Sequence, residues 1–135
     1  MKKHKLFSLR RKKGQTLVET ALLLPIFILI LAGILDFGWI LGNQLMVSNG
    51  SRDGARYAIV NSEAANLQTL VSTRVRSNPG LASTTDVTVT VTKSTDQTDL
   101  TVTVNKKVPV LTPLAGAFLG GQEIILTSST VMRVE

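Results

Sequence analysis

Two carboxylates, Glu19 and Asp36, stand at the edges of the longest apolar run in the chain, and a crowd of cations precedes it. Seven Lys/Arg fall within residues 1–13 (MKKHKLFSLRRKK), and Gly14-Gln15-Thr16-Leu17-Val18-Glu19 leads into a run that opens at Thr20. An acidic side chain at mid-span of a membrane costs about 2.5–3.5 kcal/mol on insertion scales, and less near the end. A carboxylate retained there needs compensation, and a positive charge on a neighbouring chain supplies it. Basic leader, single Gly and lone Glu form a layout for processing and assembly.

Other chemistry is sparse. Cysteine is absent and the one histidine is His4, inside the leader. This excludes a disulfide framework and thiolate metal sites. There is no Gly-rich phosphate loop, no serine-nucleophile motif and no carboxylate cluster at metal-ligand spacing. Asp96 and Asp99 fall between two strand-like runs, where such residues form turns or solvate them. No catalytic residue, metal or cofactor is expected, and the chain does not read as an enzyme.

Charge is equally uneven. Of fifteen Lys/Arg, seven are in the leader, leaving eight against nine Asp/Glu in the rest. The basic pI therefore belongs to the leader. No basic patch with interleaved aromatics recurs downstream, so nucleic acid is not a partner. Basic residues beside an apolar span instead hold the cytoplasmic side and touch anionic lipid.

Between Thr20 and Ile40 the only charge is Asp36, within ALLLPIFILILAGIL and the residues that follow. Twenty-odd helical residues at ~1.5 Å each reach ~30 Å, the thickness of a bilayer's hydrocarbon core. A chain of 135 residues could hardly wrap a helix that is apolar on every side. The charge asymmetry places the N-terminus in the cytoplasm and the remainder across the membrane. A cleaved secretory signal is the competing reading, though its apolar region would be long and Leu31-Ala32-Gly33 is a poor cleavage site. Pro25 removes one helix hydrogen bond and invites a kink. Gly38 and Gly42 form a small-xxx-small pair that lets another helix approach, and Trp39 suits the outer interface. Asp36 has two readings: a carboxylate reaching toward interfacial water, or a polar contact with another subunit.

Residues 43–78 read as a more polar helix, with Leu45, Ala55, Ala58, Ile59, Leu67, Leu70, Val71 and Val75 near helical spacing. Arg52 and Arg56 lie one turn apart with Asp53 beside them. They form either a solvated ionic face or a contact with lipid headgroups or a neighbouring subunit. Gly50 and Gly54 weaken a helix, which points to a hinge or close packing there. Asn78-Pro79-Gly80 is the clearest breaker. Beyond it the period is two: DVTVTVT (86–92) and DLTVTVN (99–105) predict an antiparallel hairpin with one apolar face. Glu123–Val134 predicts a third strand, and residues 108–121, broken by Pro109 and Pro113, read as an irregular loop, a short helix or a membrane-surface contact. The expected fold is α+β: a leader (1–14), a transmembrane helix (15–42), an extracytoplasmic helix (43–78) and a small β-rich region (79–135). The amphipathic helix packs on the sheet.

At the leader–span junction the chain resembles bacterial type IV pilin-like proteins, and specifically the TadE-like family of the tight-adherence (Flp-type) pilus system. The residues are Gly14, then Glu19 after a four-residue gap, then an apolar run containing Pro25. Gly33-Ile34-Leu35-Asp36-Phe37-Gly38, Asp53-Gly54-Ala55-Arg56-Tyr57-Ala58 and the closing Ser129–Glu135 are also similar to the family. Thr20 departs from the aromatic that commonly follows the Glu. The resemblance implies a pseudopilin cut by a prepilin peptidase between Gly14 and Gln15. It further implies that Glu19 pairs with the free amine of an adjacent subunit, so that prepilin peptidase, other pilin-like subunits, assembly machinery and membrane lipid are partners. A different reading keeps the chain as a permanently anchored, single-pass surface protein whose β-rich part binds an external ligand.

Overall fold

The computed structural model describes residues 4–95, 98–113, 116–117 and 120–134, with side chains from residue 14 onward. Asp96 and part of the 108–121 segment lie outside these residues. Helix α1 runs His4–Val60 and α2 Leu67–Arg76; strands are β1 Val87–Lys93, β2 Asp99–Pro109 and β3 Glu123–Arg133. The strands form one antiparallel sheet in the order β1-β2-β3. This is the expected α+β arrangement of a long N-terminal helix followed by a small sheet. The chain divides into two compact units, Met1–Leu35 and Asp36–Glu135.

In the first unit α1 is apolar all round. Leu17, Phe27 and Ile34 are 71%, 65% and 63% exposed, and none of the residues from Gly14 to Leu35 is buried. Pro25 lies inside the helix without ending it. Thr20 Oγ1 donates to the Thr16 carbonyl at 2.9 Å, so this residue's hydroxyl is satisfied within its own helix.

In the second unit the same helix acquires a buried stripe. Asp36, Asn43, Val47, Gly50, Ser51, Gly54, Ala55 and Ala58 are buried, at the three- and four-residue spacings of one helical face. Opposite them stand Val87 and Val89 of β1 and Leu100, Val102, Val104 and Val108 of β2, all buried. The period-two alternation holds along each strand, with Val89 facing Val104 and Val91 facing Val102 across the ladder. Helix α2 closes the core with Leu67, Val71 and Val75.

One element differs from expectation. The single helix predicted over residues 43–78 is two, separated at residues 61–66. Asn61 explains the stop: its side-chain amide donates to the Tyr57 carbonyl at 2.9 Å. The Ser62 N–H meanwhile falls back to Ile59, three residues behind, which tightens the last turn. Short polar side chains that bond nearby backbone compete with helix continuation. After α2, Gly80 takes a left-handed φ of 78° in the predicted breaker.

The glycines of α1 sort by environment. A Cβ on Gly54 would stand 2.7 Å from Val75 Cγ2 and 3.2 Å from Val102 Cγ1, whereas nothing lies within 4 Å of one on Gly42. Gly54 is therefore the point where α1, α2 and β2 touch. Gly54→Ala should destabilise the second unit by about 1–3 kcal/mol through overpacking. Gly42→Ala should be neutral or gain up to about 1 kcal/mol in helix propensity. Thermal unfolding of the detergent-solubilised variants separates the two; equal midpoints would contradict this packing.

Candidate functional site

The residues singled out for chemistry divide between the two units. Gly14, Gln15 and Glu19 lie in the first, all exposed on α1. Among the described residues Glu19 makes no ion pair. It is an acid on a helix whose next sixteen residues, 20–35, include no charge. A hydroxyl, Thr20, follows it, and the Thr20 side chain is turned back on the helix backbone rather than toward the carboxylate.

Asp36 opens the second unit and is 3% exposed. Its Oδ1 accepts the backbone N–H groups of Leu111 and Thr112 at 3.0 and 3.1 Å, and its Oδ2 accepts the Thr112 hydroxyl. Three donors satisfy this buried carboxylate and fix the segment beyond β2 to α1. The geometry thus gives Asp36 a partner within its own chain. Trp39 adds to the same contact, donating Nε1–H to the Pro109 carbonyl at 3.2 Å.

Further along the face, polar pairs continue the attachment. Asn43 Oδ1 accepts Lys106 Nζ at 2.7 Å, and that ammonium also donates to the Gly80 carbonyl at 2.7 Å. Gln44 Nε2 donates to Thr127 O at 3.3 Å. Ser51 Oγ lies 2.9 Å from both Ser128 Oγ and Thr130 Oγ1. Two oxygen acceptors thus hold the head of this half-buried lysine.

Arg52 and Arg56 are exposed, while Asp53 between them faces α2. Arg74 grips Asp53 with two bonds of 3.0 and 3.2 Å, and Asn78 Nδ2 adds a third at 3.2 Å. Burial raises the Asp53 pKa, but the bonds from Arg74 and Asn78 and the charges of Arg74 and Arg56 outweigh it. The net result holds the carboxyl below its ordinary value of 3.8. Gly38 and Gly42 both have open space where a side chain would be.

Asn43, Ser51, Gln68 and Lys106 were not singled out from sequence, yet they attach the elements to one another. A signal existed: Asp36, Asn43 and Ser51 recur at seven and eight residues, a helical face written in polar residues. Hydrophobic periodicity passes over such a stripe.

Residues 14–56 match the family model for TadE-like proteins. No curated protein and no solved structure matches the chain. Among the described residues one helix is long and apolar enough to cross a membrane, Gly14–Val60. No group of three or more His, Cys, Asp or Glu able to hold a metal occurs among the described residues.

Two outcomes follow from these contacts. Asp36→Asn keeps the shape but removes the charge and one acceptor, so amide exchange at Leu111 and Thr112 should speed up by about tenfold or more. Unchanged exchange would mean the carboxylate does not hold that segment. For Asp53, a depressed folded pKa means its stabilisation is complete above about pH 4 and is lost as pH falls through the folded value. The stability gap between wild type and Asp53→Asn should therefore be largest near neutral pH and close below pH ~4; a gap independent of pH would contradict the assignment.

Proposed function

We propose, starting from a chain whose residues 14–56 are TadE-like, that this protein is a minor pilin, or pseudopilin, of a tight-adherence type IV-like pilus. The observation that carries the reading is Glu19, a carboxylate with no ion-pair partner among the described residues, on an apolar and exposed helix directly after a glycine and a basic leader.

A prepilin peptidase acting at the cytoplasmic face would cut between Gly14 and Gln15. Water adds to the Gly14 carbonyl carbon, the Gly14–Gln15 C–N bond breaks, Gly14 leaves with the leader as a carboxylate, and the proton from water goes to the new amino group of Gln15. At neutral pH that amine is largely protonated, since an α-amino group titrates at about 7.7–8.0. Cleavage also removes seven basic side chains that hold the segment at the cytoplasmic face. The new cation stands one turn of helix from Glu19 in membrane depth. The amine of one subunit and the carboxylate of its neighbour then neutralise each other in a medium where either alone is costly.

The remaining α1 residues support the same role. The exposed apolar surface through residue 35 suits packing against the helices of other pilin-like subunits. Gly38 and Gly42, with nothing near them, suit close helix approach. Pro25 gives the span a site of reduced backbone hydrogen bonding. Arg52 and Arg56, both exposed, would meet anionic headgroups or a neighbouring subunit on the extracytoplasmic side. The protein thus sits in the inner membrane with its N-terminus inside before it joins an assembly.

N-terminal mass spectrometry of protein extracted from the producing cell tests this. The expected mature N-terminus is Gln15; Gly14→Ala should leave full-length protein. Glu19→Gln should be processed or not according to the peptidase, but should fail to co-purify with other pilin-like subunits. A wild-type product that still carries Met1–Gly14 in cells with active prepilin peptidase would overturn the proposal and favour a permanently anchored surface protein.

A further inference from the structure

Where β2 leaves the sheet, the chain changes character. Residues 108–122 carry no charge, and Val, Leu, Pro, Gly and Ala predominate among them. Loops in water ordinarily draw on polar, turn-forming residues and leave backbone groups to the solvent. Within residues 109–113 no backbone N–H is left over. Pro109 and Pro113 have none. Val110 donates to Gln122 O at 2.9 Å, and Leu111 and Thr112 donate to Asp36 Oδ1 at 3.0 and 3.1 Å. The Pro109 carbonyl accepts Trp39 Nε1–H at 3.2 Å. On β1 a comparable duty falls to Gln68, whose amide donates to Val89 O and accepts from Val91 N. There the strand is covered by a helix of this chain.

The side chains of the segment do the opposite of its backbone. Leu111 is 56% exposed, and Pro113 is exposed beside it. N–H groups turned inward and apolar side chains turned outward match a medium that offers no hydrogen bonds. Covalent continuity gives that medium its place. Asp36 is the residue that follows the uncharged run 20–35. A segment bonded to its carboxylate is therefore held at the end of that run, whatever angle the helix takes there. Trp39, an aromatic ring with one polar edge, joins the same contact and suits a lipid–water boundary. Lys107 and Glu123, both exposed, bracket the uncharged stretch and limit how deep it can lie.

We propose that residues 109–113 form a second contact with the bilayer, beside the span. Asp36 holds the segment at the leaflet from which α1 emerges, with Leu111 and Pro113 against the acyl chains. Lys107 and Glu123 stay among the headgroups. The occupant is lipid: a protein partner could supply hydrogen bonds, lipid tails cannot, and the segment asks for none through its N–H groups. The proposal rests on the reading of residues 20–35 as a membrane span. It is independent of peptidase cleavage and of the Glu19 pairing.

The test uses the full chain in vesicles of phosphatidylethanolamine and phosphatidylglycerol, at a protein-to-lipid ratio low enough to keep copies apart. The chain has no cysteine, so Ile28→Cys, Ser94→Cys and Leu111→Cys each carry one nitroxide label. Position 28 lies in the apolar run, and Ser94 is exposed just beyond β1. Collision rates with oxygen, which concentrates in hydrocarbon, and with a water-soluble nickel chelate place each label. The oxygen-to-nickel ratio at 111 should exceed that at 94 by about tenfold or more and approach that at 28. Unlabelled protein gives a second reading, because Trp39 is its one tryptophan. Brominated acyl chains should quench its emission strongly and aqueous acrylamide weakly. A water-like ratio at 28 would overturn the span and this contact together. A lipid-like ratio at 28 with equal ratios at 111 and 94 would overturn this contact alone, as would ready quenching of Trp39 by acrylamide.

Discussion

One helix here meets two kinds of surroundings, and the rest of the chain depends on how its backbone hydrogen bonds permit that. An α-helix satisfies its own N–H and C=O groups within the segment, so it can pass through a medium that offers no partners. What differs along α1 is only the side chains. Residues 20–35 present no charge and no buried stripe, whereas from Asp36 onward one face is committed to the sheet. The same helix therefore contributes residues to both compact units.

Asp36 marks the change. A carboxylate this buried would be destabilising without partners, and it receives the amides of Leu111 and Thr112 and the Thr112 hydroxyl. Beyond it the attachment of helix to sheet is polar through Asn43, Gln44 and Ser51. It turns apolar around Gly54, Ala55 and Ala58, where the core of Val71, Val75, Val102 and Val104 lies. Polar contacts with directional geometry set the register of helix on sheet; apolar burial supplies the larger share of stabilisation. Glu19, by contrast, has no ion-pair partner among the described residues.

The sheet was legible because period-two patterning is strong in DVTVTVT, DLTVTVN and EIILTSSTVM, and because Asn78-Pro79-Gly80 interrupts the helical pattern before it. The long apolar helix was legible because residues 20–35 carry no charge and no polar face. The break between α1 and α2 was not, since residues 61–66 contain neither Gly nor Pro and the stop depends on what the Asn61 side chain bonds. Asp36 could not be assigned from sequence because its donors lie about 75 positions away, a separation that no local pattern reports. Gln68 was missed for the same reason: its value lies in matching a strand edge, which exists only once the sheet has formed. Gly50 and Gly54 could be narrowed to a hinge or close packing, and the side chains that would clash with a Cβ decide for packing.

In this reading α1 meets lipid on all sides up to about residue 35 and a protein core along one face thereafter. Because the chain contains no cysteine, single cysteines introduced one at a time from position 17 to 58 can be probed with a water-soluble thiol reagent in native membranes. The expected profile is a continuous block of protection across residues 20–35, followed from residue 43 by protection that oscillates with the helical period and is weakest at 49, 52 and 56. Oscillating reactivity within 20–35, or uniform labelling there, would mean that this stretch is not a membrane span, and the account would fail.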